Sequence, residues 1–599
     1  MRHFQTAFVF LIFMLHQQFS NAQSSKKEAE YLLQTSEMND LMIKYQADLA
    51  SIQRVYSTNA NRGVYGSQFP EGGGRRGQGD PNSPEGRQRQ LKLMADYQQK
   101  MSQMDFDKMG INGKVDYLLF SRKLEDAKYR LEGEEKRYQE IAKYLPFSDR
   151  IYTLIKSRRR GAVVNGQAVA KELNETGKQI SQTINAFKKE DSLWSKQAKA
   201  ATDALAALRG SLTDYFSFYN GYDPLFTWWV PKSYTEVDSL LTVYAGALTK
   251  KSRIESTQKD DGSGIPANPS GEVEVTRQLR LEFIPYSVQD LIDLATKEFA
   301  WCDAELLKAS REMGFGDNWK AAQEKVKNSY VEPGKQPDAM NDLYKQSVDF
   351  LKKHDLVTID PLAEEDWSMV MMSPERQRTS PFFLGGENLI ISYPTNTMSY
   401  DDKMMSMRGN NPHFSRSTVH HELIAGHHLQ GFMTDRYKSY RRFDTPFWVE
   451  GHAFYWELVL WDMNFPRSPE DRIGMLFWRM HRCARIILSL NYHLGKWTPQ
   501  QCIDFLVDRV GHERANAESE VRGYFRRTDY ALYQIAYMMG GIQLYALKKE
   551  LVDGKKMTMK QFNDAVLHEN SMPIEMLRAI LINQPLKRDF KTSWRFYDK

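Results

Sequence analysis

The segment His420–Gln430, HHELIAGHHLQ, holds the residue types of a metal-activated hydrolase. His421-Glu422 opens like the HExxH zinc motif, in which two histidines one turn apart ligate the ion and the glutamate beside the first is the general base. The expected partner position is Ala425, and the histidines come later, at His427 and His428. On a regular helix a residue six positions on lies about 240° around, so His421 and His427 would face apart. The His421/His428 pair shares a face but is separated by about 10.5 Å of rise, a long reach for one ion. A bulge, kink or break must absorb the extra residues. Gly426 suits it, since glycine tolerates unusual backbone angles. The spacing therefore predicts an interrupted or widened helix around residues 424–426.

A catalytic zinc site also needs a third protein ligand and a position for water. The segment PFWVEGHAFYWE, residues 446–457, supplies Glu450, His452 and Glu457. Glu450 sits in a helical-looking stretch that can pack antiparallel to the first helix. Glu457, two turns further along the same face, is placed to support a ligating histidine from behind. Two competing readings are weaker. An inert polar core would bury imidazoles without partners, which is costly. A di-iron bundle wants Glu-x-x-His repeats, and Glu422 has Ala425 at that spacing.

The elements that must position these groups read as mostly helical. Stretches 26–56, 113–145, 168–218 and 288–313 place apolar residues at three- and four-residue spacings with few breakers. The best strand signal is NLIISY, residues 388–393, expected as an edge strand able to pair with an extended peptide. Two loops are expected, about 62–88 and 259–271, from their glycines and prolines. The fold class is thus mainly α: a large helical body around a substrate cleft, with a small β element beside the metal-site helix. Residues 23–599 read as one large domain.

Composition narrows the partners. The chain has 599 residues, 41% hydrophobic, with 81 Lys+Arg against 76 Asp+Glu and a net charge of +5. That excludes a wholly disordered chain and shows no basic stripe for nucleic acid. Of its 13 histidines, His413, His420, His421, His427, His428 and His452 crowd between 413 and 452. Residues 1–22 read as a secretory signal: Arg2, an apolar run 7–15, then Ser20-Asn21-Ala22 as a cleavage site. No cysteine follows for lipid attachment, and no later stretch is apolar enough to span a membrane. The expected location is therefore secreted or periplasmic. Cys302, Cys483 and Cys502 make no disulfide framework, although a Cys483–Cys502 bridge is possible.

At these motifs the chain resembles the bacterial family called domain of unknown function 885, whose pattern HEaxPGHHLQ is followed by EGWALYxE. Here they read His421–Gln430 and Glu450–Glu457. Segments 283–306, 482–497 and 562–577 resemble further parts of that family. The family is similar to helical gluzincin-type zinc peptidases, such as the angiotensin-converting and thimet-like enzymes, in which HHExGH is followed some two dozen residues later by a ligand Glu. The resemblance implies one zinc ion on His421, Glu450 and either His427 or His428, and it favours His427, which follows a glycine. The chain departs from the family at Ala425 (usually Pro), His452 (usually Trp) and Ser489 (usually Asp). Residues 528–540 are a degraded form of a Pro-Gly-Gln-Ala-x-x-Tyr segment, whose tyrosine is Tyr537 or Tyr533.

The implied function is a secreted or periplasmic zinc peptidase. Glu422 is the expected general base, and His493 and Tyr537 are the candidates to stabilise the oxyanion. Arg482, Arg485, Arg522, Arg526 and Arg527 are candidates to hold a substrate carboxylate. The alternatives are a non-catalytic peptide-binding protein on the same fold and a metal-dependent hydrolase of non-peptide amides or esters.

Overall fold

The computed structural model describes residues 35–56, 83–159, 161–188, 192–253, 261–377, 382, 384–386, 388–441, 443–525 and 530–597. The expected signal at 1–22 lies outside them, as do residues 62–82 of the first expected loop. The end of that loop is helix instead. Ser83 accepts a hydrogen bond from Gly86 N, and Pro84 occupies the first turn, where a missing N–H costs nothing. Asp261–Gly271 contains neither helix nor strand. The fold is mainly α, with two small two-stranded parallel sheets.

The chain divides into two compact units. One comprises residues 40–104 and 120–259. Its helices are α1 (Asn39–Tyr56), α2 (Pro84–Ser102), α3 (Ile111–Ile141, from residue 120 on), α4 (Ser148–Arg159), α5 (Gly166–Phe187), α6 (Ser195–Tyr219), α7 (Pro224–Trp229) and α8 (Pro231–Lys250). Strands β1 (Leu193–Trp194) and β2 (Ser252–Arg253) pair beside them. The apolar stretch 168–218 is thus split between α5 and α6. Leu173, Ile180, Ile184 and Phe187 form one stripe of α5 in this unit's core, together with Leu205 and Leu212 of α6 and Val237, Leu241 and Tyr244 of α8.

The other unit comprises residues 1–39, 105–119 and 260–599. Its principal elements are α9 (Glu272–Leu281), α10 (Val288–Glu312), α11 (Gln336–Lys353), β3 (Ser368–Met371), β4 (Asn388–Ile391), α12 (Pro412–Glu422), α13 (His427–Thr434), α14 (Pro446–Asp462), α15 (Pro469–His493), α16 (Arg514–Phe525) and α17 (Tyr533–Lys548). Three of these helices start alike: Asn411-Pro412, Thr445-Pro446 and Ser468-Pro469 each place a capping side chain before a first-turn proline. Nearly every residue of α14 from Phe447 to Leu460 is buried, so it shows no polar face. It packs against α12 and α17, and α15 packs against α10, α12 and α17.

β4 is not the edge expected from its sequence. It pairs in parallel with β3 on one side, and Ile390 exchanges backbone hydrogen bonds with Leu384 on the other. Both of its edges are taken, so an extended ligand has no access to it there. Nor does a Cys483–Cys502 pairing appear. Cys483 Sγ lies 3.7 Å from Met538 Sδ, while Cys502 Sγ lies 3.8 Å from Leu488 O.

Candidate metal centre

The break between the two histidine pairs is real. Helix α12 ends at Glu422, and α13 begins at His427. The glycine between them is needed for closeness rather than for a left-handed backbone. Gly426 has φ of −88°, and a Cβ built there would stand 1.9 Å from His421 O. The chain folds back so tightly on the end of α12 that only a hydrogen fits at this position.

That fold-back swings His427 onto His421. The ring centroids stand 4.9 Å apart with the planes at 88°. Glu450, from α14, closes the group: its Oε2 lies 3.2 Å from His427 Nε2 and 3.7 Å from His421 Nε2. Ligands about 2.0–2.1 Å from a tetrahedral zinc stand roughly 3.3–3.4 Å from one another. The two separations from Glu450 bracket that spacing, all three donor atoms lie within 4.8 Å of one another, and two imidazoles with a carboxylate suit zinc.

Each of the three candidate ligands is held from behind by a different partner. His421 Nδ1 lies 2.8 Å from Glu457 Oε1. Glu457 also accepts from Ser417 Oγ at 3.1 Å and from Arg482 at 3.3 Å. His427 Nδ1 lies 3.4 Å from Gln430 Oε1. Gln430 in turn donates to Val449 O at 2.8 Å, and its Nε2 lies 2.8 Å from His452 Nδ1. Tyr533 donates to Glu450 Oε1 at 2.6 Å. With the Nδ1 atoms facing outward, both Nε2 atoms converge on the Glu450 carboxylate.

Such convergence demands positive charge, and the titration behaviour reflects it. Burial would lower His427, but Glu450 outweighs it and holds the imidazole up at about 9. Burial would raise Glu450, but His427 and His421 hold it well below the usual carboxylate range. Burial likewise opposes ionisation of Glu457, yet Arg482 and His421 bring it down to about 2. The site keeps a proton where a cation would sit.

Glu422 is the last residue of α12, half-buried, and its charge favours the protonated form of His427. The β element lies against it: a Cβ on Gly385 would stand 2.4 Å from Glu422 Oε2. Tyr537 is also at the site. Its ring lies nearly parallel to that of His421, at 6.1 Å and 12°, with the Arg482 and Arg485 guanidinium carbons 4.6 and 4.5 Å from its centroid. Helices α14 and α17 bring these tyrosines to Glu450 by meeting at glycines. A Cβ on Gly540 would stand 1.9 Å from Phe447 O, and one on Gly451 would stand 2.5 Å from Gly540 Cα.

Other sequence candidates lie elsewhere. His428 points away from the ligands: its Nε2 lies 2.8 Å from Ala363 O and 2.9 Å from Asp366, and its Nδ1 lies 3.3 Å from Gly386 O. Consecutive helical residues diverge by about 100°, so only one of His427 and His428 can face Glu450. His493 ends α15, about 16 Å of helical rise beyond Arg482. Its Nδ1 accepts from Ser270 N at 3.3 Å, and burial alone lowers it to about 4. It organises the 261–271 loop and is not brought to the ligands. Nor are the arginines poised for a substrate carboxylate. Arg482 serves Glu457, Arg485 pairs with Glu520 at 2.9 Å, and Arg522 donates to the carbonyl of Gly264. Arg526 and Arg527 lie outside the described residues.

Gln430 and Tyr533 carry roles that the sequence reading did not assign. Gln430 had a usable signal, lying one turn after His427. Tyr533 is singled out in the sequence only as an alternative to Tyr537 in the degraded tyrosine segment, and the glycine contact between α14 and α17 is what brings it to Glu450.

No curated protein matches the chain. Two solved structures share its fold at low identity. One is a "putative lipoprotein of unknown function" from Shewanella oneidensis, with a TM-score of 0.62 and 16% identity, covering 92% of this chain and 100% of that one. The other is a "putative lipoprotein" from Colwellia psychrerythraea, with a TM-score of 0.55 and 14% identity, covering 91% and 98%. A family model described as "Bacterial protein of unknown function (DUF885)" matches residues 63–581. Spanning the candidate metal centre and most of the chain, that match makes this protein a member of the DUF885 family.

Proposed function

We propose that the protein is an extracytoplasmic zinc-dependent peptidase. The observation that carries the reading is the convergence of His421, His427 and Glu450, with Glu422 next to His421 in the chain. When bound, zinc supplies Lewis acidity and a water acidic enough to react near neutral pH. The chain's own residues supply the rest. Glu422, next to His421 and pressed by the Gly385 backbone, accepts the proton of the attacking water and passes it to the leaving amine. Tyr537, whose ring lies beside that of His421, is the hydroxyl donor for the developing oxyanion, while Tyr533 holds Glu450. Glu457, Gln430 and Arg482 keep the ligands oriented.

Peptide as the substrate class is supported by the likeness of this spacing to the helical zinc peptidases. The location is supported by the signal-like residues 1–22 and by the lipoprotein names of the two structural relatives. Among the described residues, no helix is long and apolar enough to cross a membrane.

The test is peptide-library cleavage by the zinc-reconstituted protein and by its Glu422→Gln variant. The variant should retain about one equivalent of zinc and lose about 10²- to 10⁴-fold in kcat. Equal cleavage by both proteins overturns the assignment of the base. Zinc binding with no peptide cleavage, but with turnover of ester or amide substrates, moves the protein to the non-peptide hydrolases.

A further inference from the structure

The unit formed by residues 40–104 and 120–259 carries an exposed apolar corner that the metal centre does not explain. Within the run Phe218–Trp229, five large apolar side chains face solvent: Phe218 (55% exposed), Tyr222 (83%), Leu225 (67%), Trp228 (80%) and Trp229 (44%). Val163 is 99% exposed. It belongs to the same corner, because Gly166 at the end of its loop packs directly on Leu225 O.

The corner is built to hold its shape. Asp223 caps α7 through Phe226 N at 2.7 Å, and Gly221 N donates to Thr227 at 2.8 Å. Phe226 is fully buried against Tyr215, Phe216 and Tyr219. One aromatic anchors the short helix inward, and its neighbours Leu225, Trp228 and Trp229 are thereby held outward. Isolated exposed apolar residues are ordinary, but a fixed group of two tryptophans, a tyrosine, a phenylalanine and a leucine is a contact surface.

Its chemistry favours one occupant. Trp and Tyr are the residues that settle at the headgroup level of a bilayer, with apolar ring bodies and polar edges. Two cations border the apolar group, with Asp214 and Glu236 a helical turn further out. The Arg158 guanidinium carbon lies 5.0 Å from the Phe218 ring centroid, and exposed Lys232 follows Trp229 in the first turn of α8. Between 218 and 233 the lone carboxylate is Asp223, and it is committed to the helix cap. Apolar side chains beside cations complement an anionic lipid surface.

We infer that this corner is an interfacial docking surface for anionic phospholipid bilayers, with Leu225, Trp228 and Trp229 entering the headgroup region and Arg158 and Lys232 meeting lipid phosphates. The inference does not depend on the metal centre.

The experiment is co-sedimentation of the full chain with vesicles of phosphatidylethanolamine and phosphatidylglycerol, compared with phosphatidylcholine alone. An environment-sensitive label on Leu225→Cys provides a local readout, since the three native cysteines are buried. Wild type should sediment with the anionic vesicles, and the label should shift to the blue. The double variant W228S/W229S should lose about tenfold or more of vesicle affinity, and R158E/K232E should lose the preference for phosphatidylglycerol. Trp228, Trp229 and Lys232 are exposed and Arg158 is half-buried, so far-UV circular dichroism is recorded on both variants and should be unchanged. Binding unaltered by W228S/W229S, or a label unmoved by vesicles, overturns the inference. Self-association lost in W228S/W229S without vesicle binding also overturns it and gives the corner to a second copy of the chain.

Discussion

At the scale of single residues, the proton held at His427 has consequences. Its folded-state value, about 9, lies above the ordinary imidazole value near 6.5. Without zinc, that proton therefore stabilises the fold fully below about pH 6.5, and the contribution is lost as pH rises through the folded-state value. An entering cation must displace it. Apparent zinc affinity should therefore climb by up to about tenfold per pH unit between roughly 6.5 and 9, with about one proton released per ion at neutral pH. Calorimetric titration in two buffers of different ionisation enthalpy measures that proton; a release of none would count against His427 as a ligand. Glu457 acts one shell further out. Replacing it by Gln removes the charge that orients His421 and leaves Arg482 without its anion, so zinc affinity should fall about 10- to 100-fold. Competition with a chelator of known affinity reads this directly.

At the scale of elements, the site depends on two close approaches. One is the fold-back at Gly426, which the odd spacing of the histidines foretells even though the reason for glycine is contact rather than backbone angle. The other is the crossing of α14 and α17 at Gly451 and Gly540, which no local pattern announces. Gly540→Ala would press a methyl group onto Phe447 O and push the helices apart. We expect a loss of about 1–3 kcal/mol, read as a lower denaturant midpoint, together with weaker zinc binding because Tyr533 is drawn off Glu450. Unchanged stability would mean that the two helices are free to slide. The same contrast runs through the secondary structure. Helix starts with a cap and a proline are plain in the sequence, whereas the parallel pairing of β4 with β3 is not, because no local pattern sets the register between two separate segments.

At the scale of the whole molecule, all three ligands lie in the unit that includes residues 260–599, while the other unit has a separate apolar core. A ligand stabilises only the cooperative unit that binds it, by about 4 kcal/mol at a thousandfold excess over Kd. Scanning calorimetry with and without a chelator should therefore move the transition of the metal-binding unit and leave the other in place. A single transition moving as one would show that the two units unfold together.

The sequence by itself determined what depends on short separations along the chain. These are the helical character, the break between Glu422 and His427, and the placing of Glu457 on the same helix face as Glu450; Glu450 as partner of the histidines followed from the family resemblance. Helical geometry relates residues a few positions apart with little freedom, so their types and spacing are enough. Only the tertiary structure decided which of His427 and His428 faces Glu450, that His493 belongs to the 261–271 loop, and that Tyr533 and Arg482 serve the ligands. Those outcomes depend on how distant helices cross. The crossings are set by whole packed faces and by a few glycines at contact points, where the closeness of two backbones, rather than any local pattern, selects the neighbours.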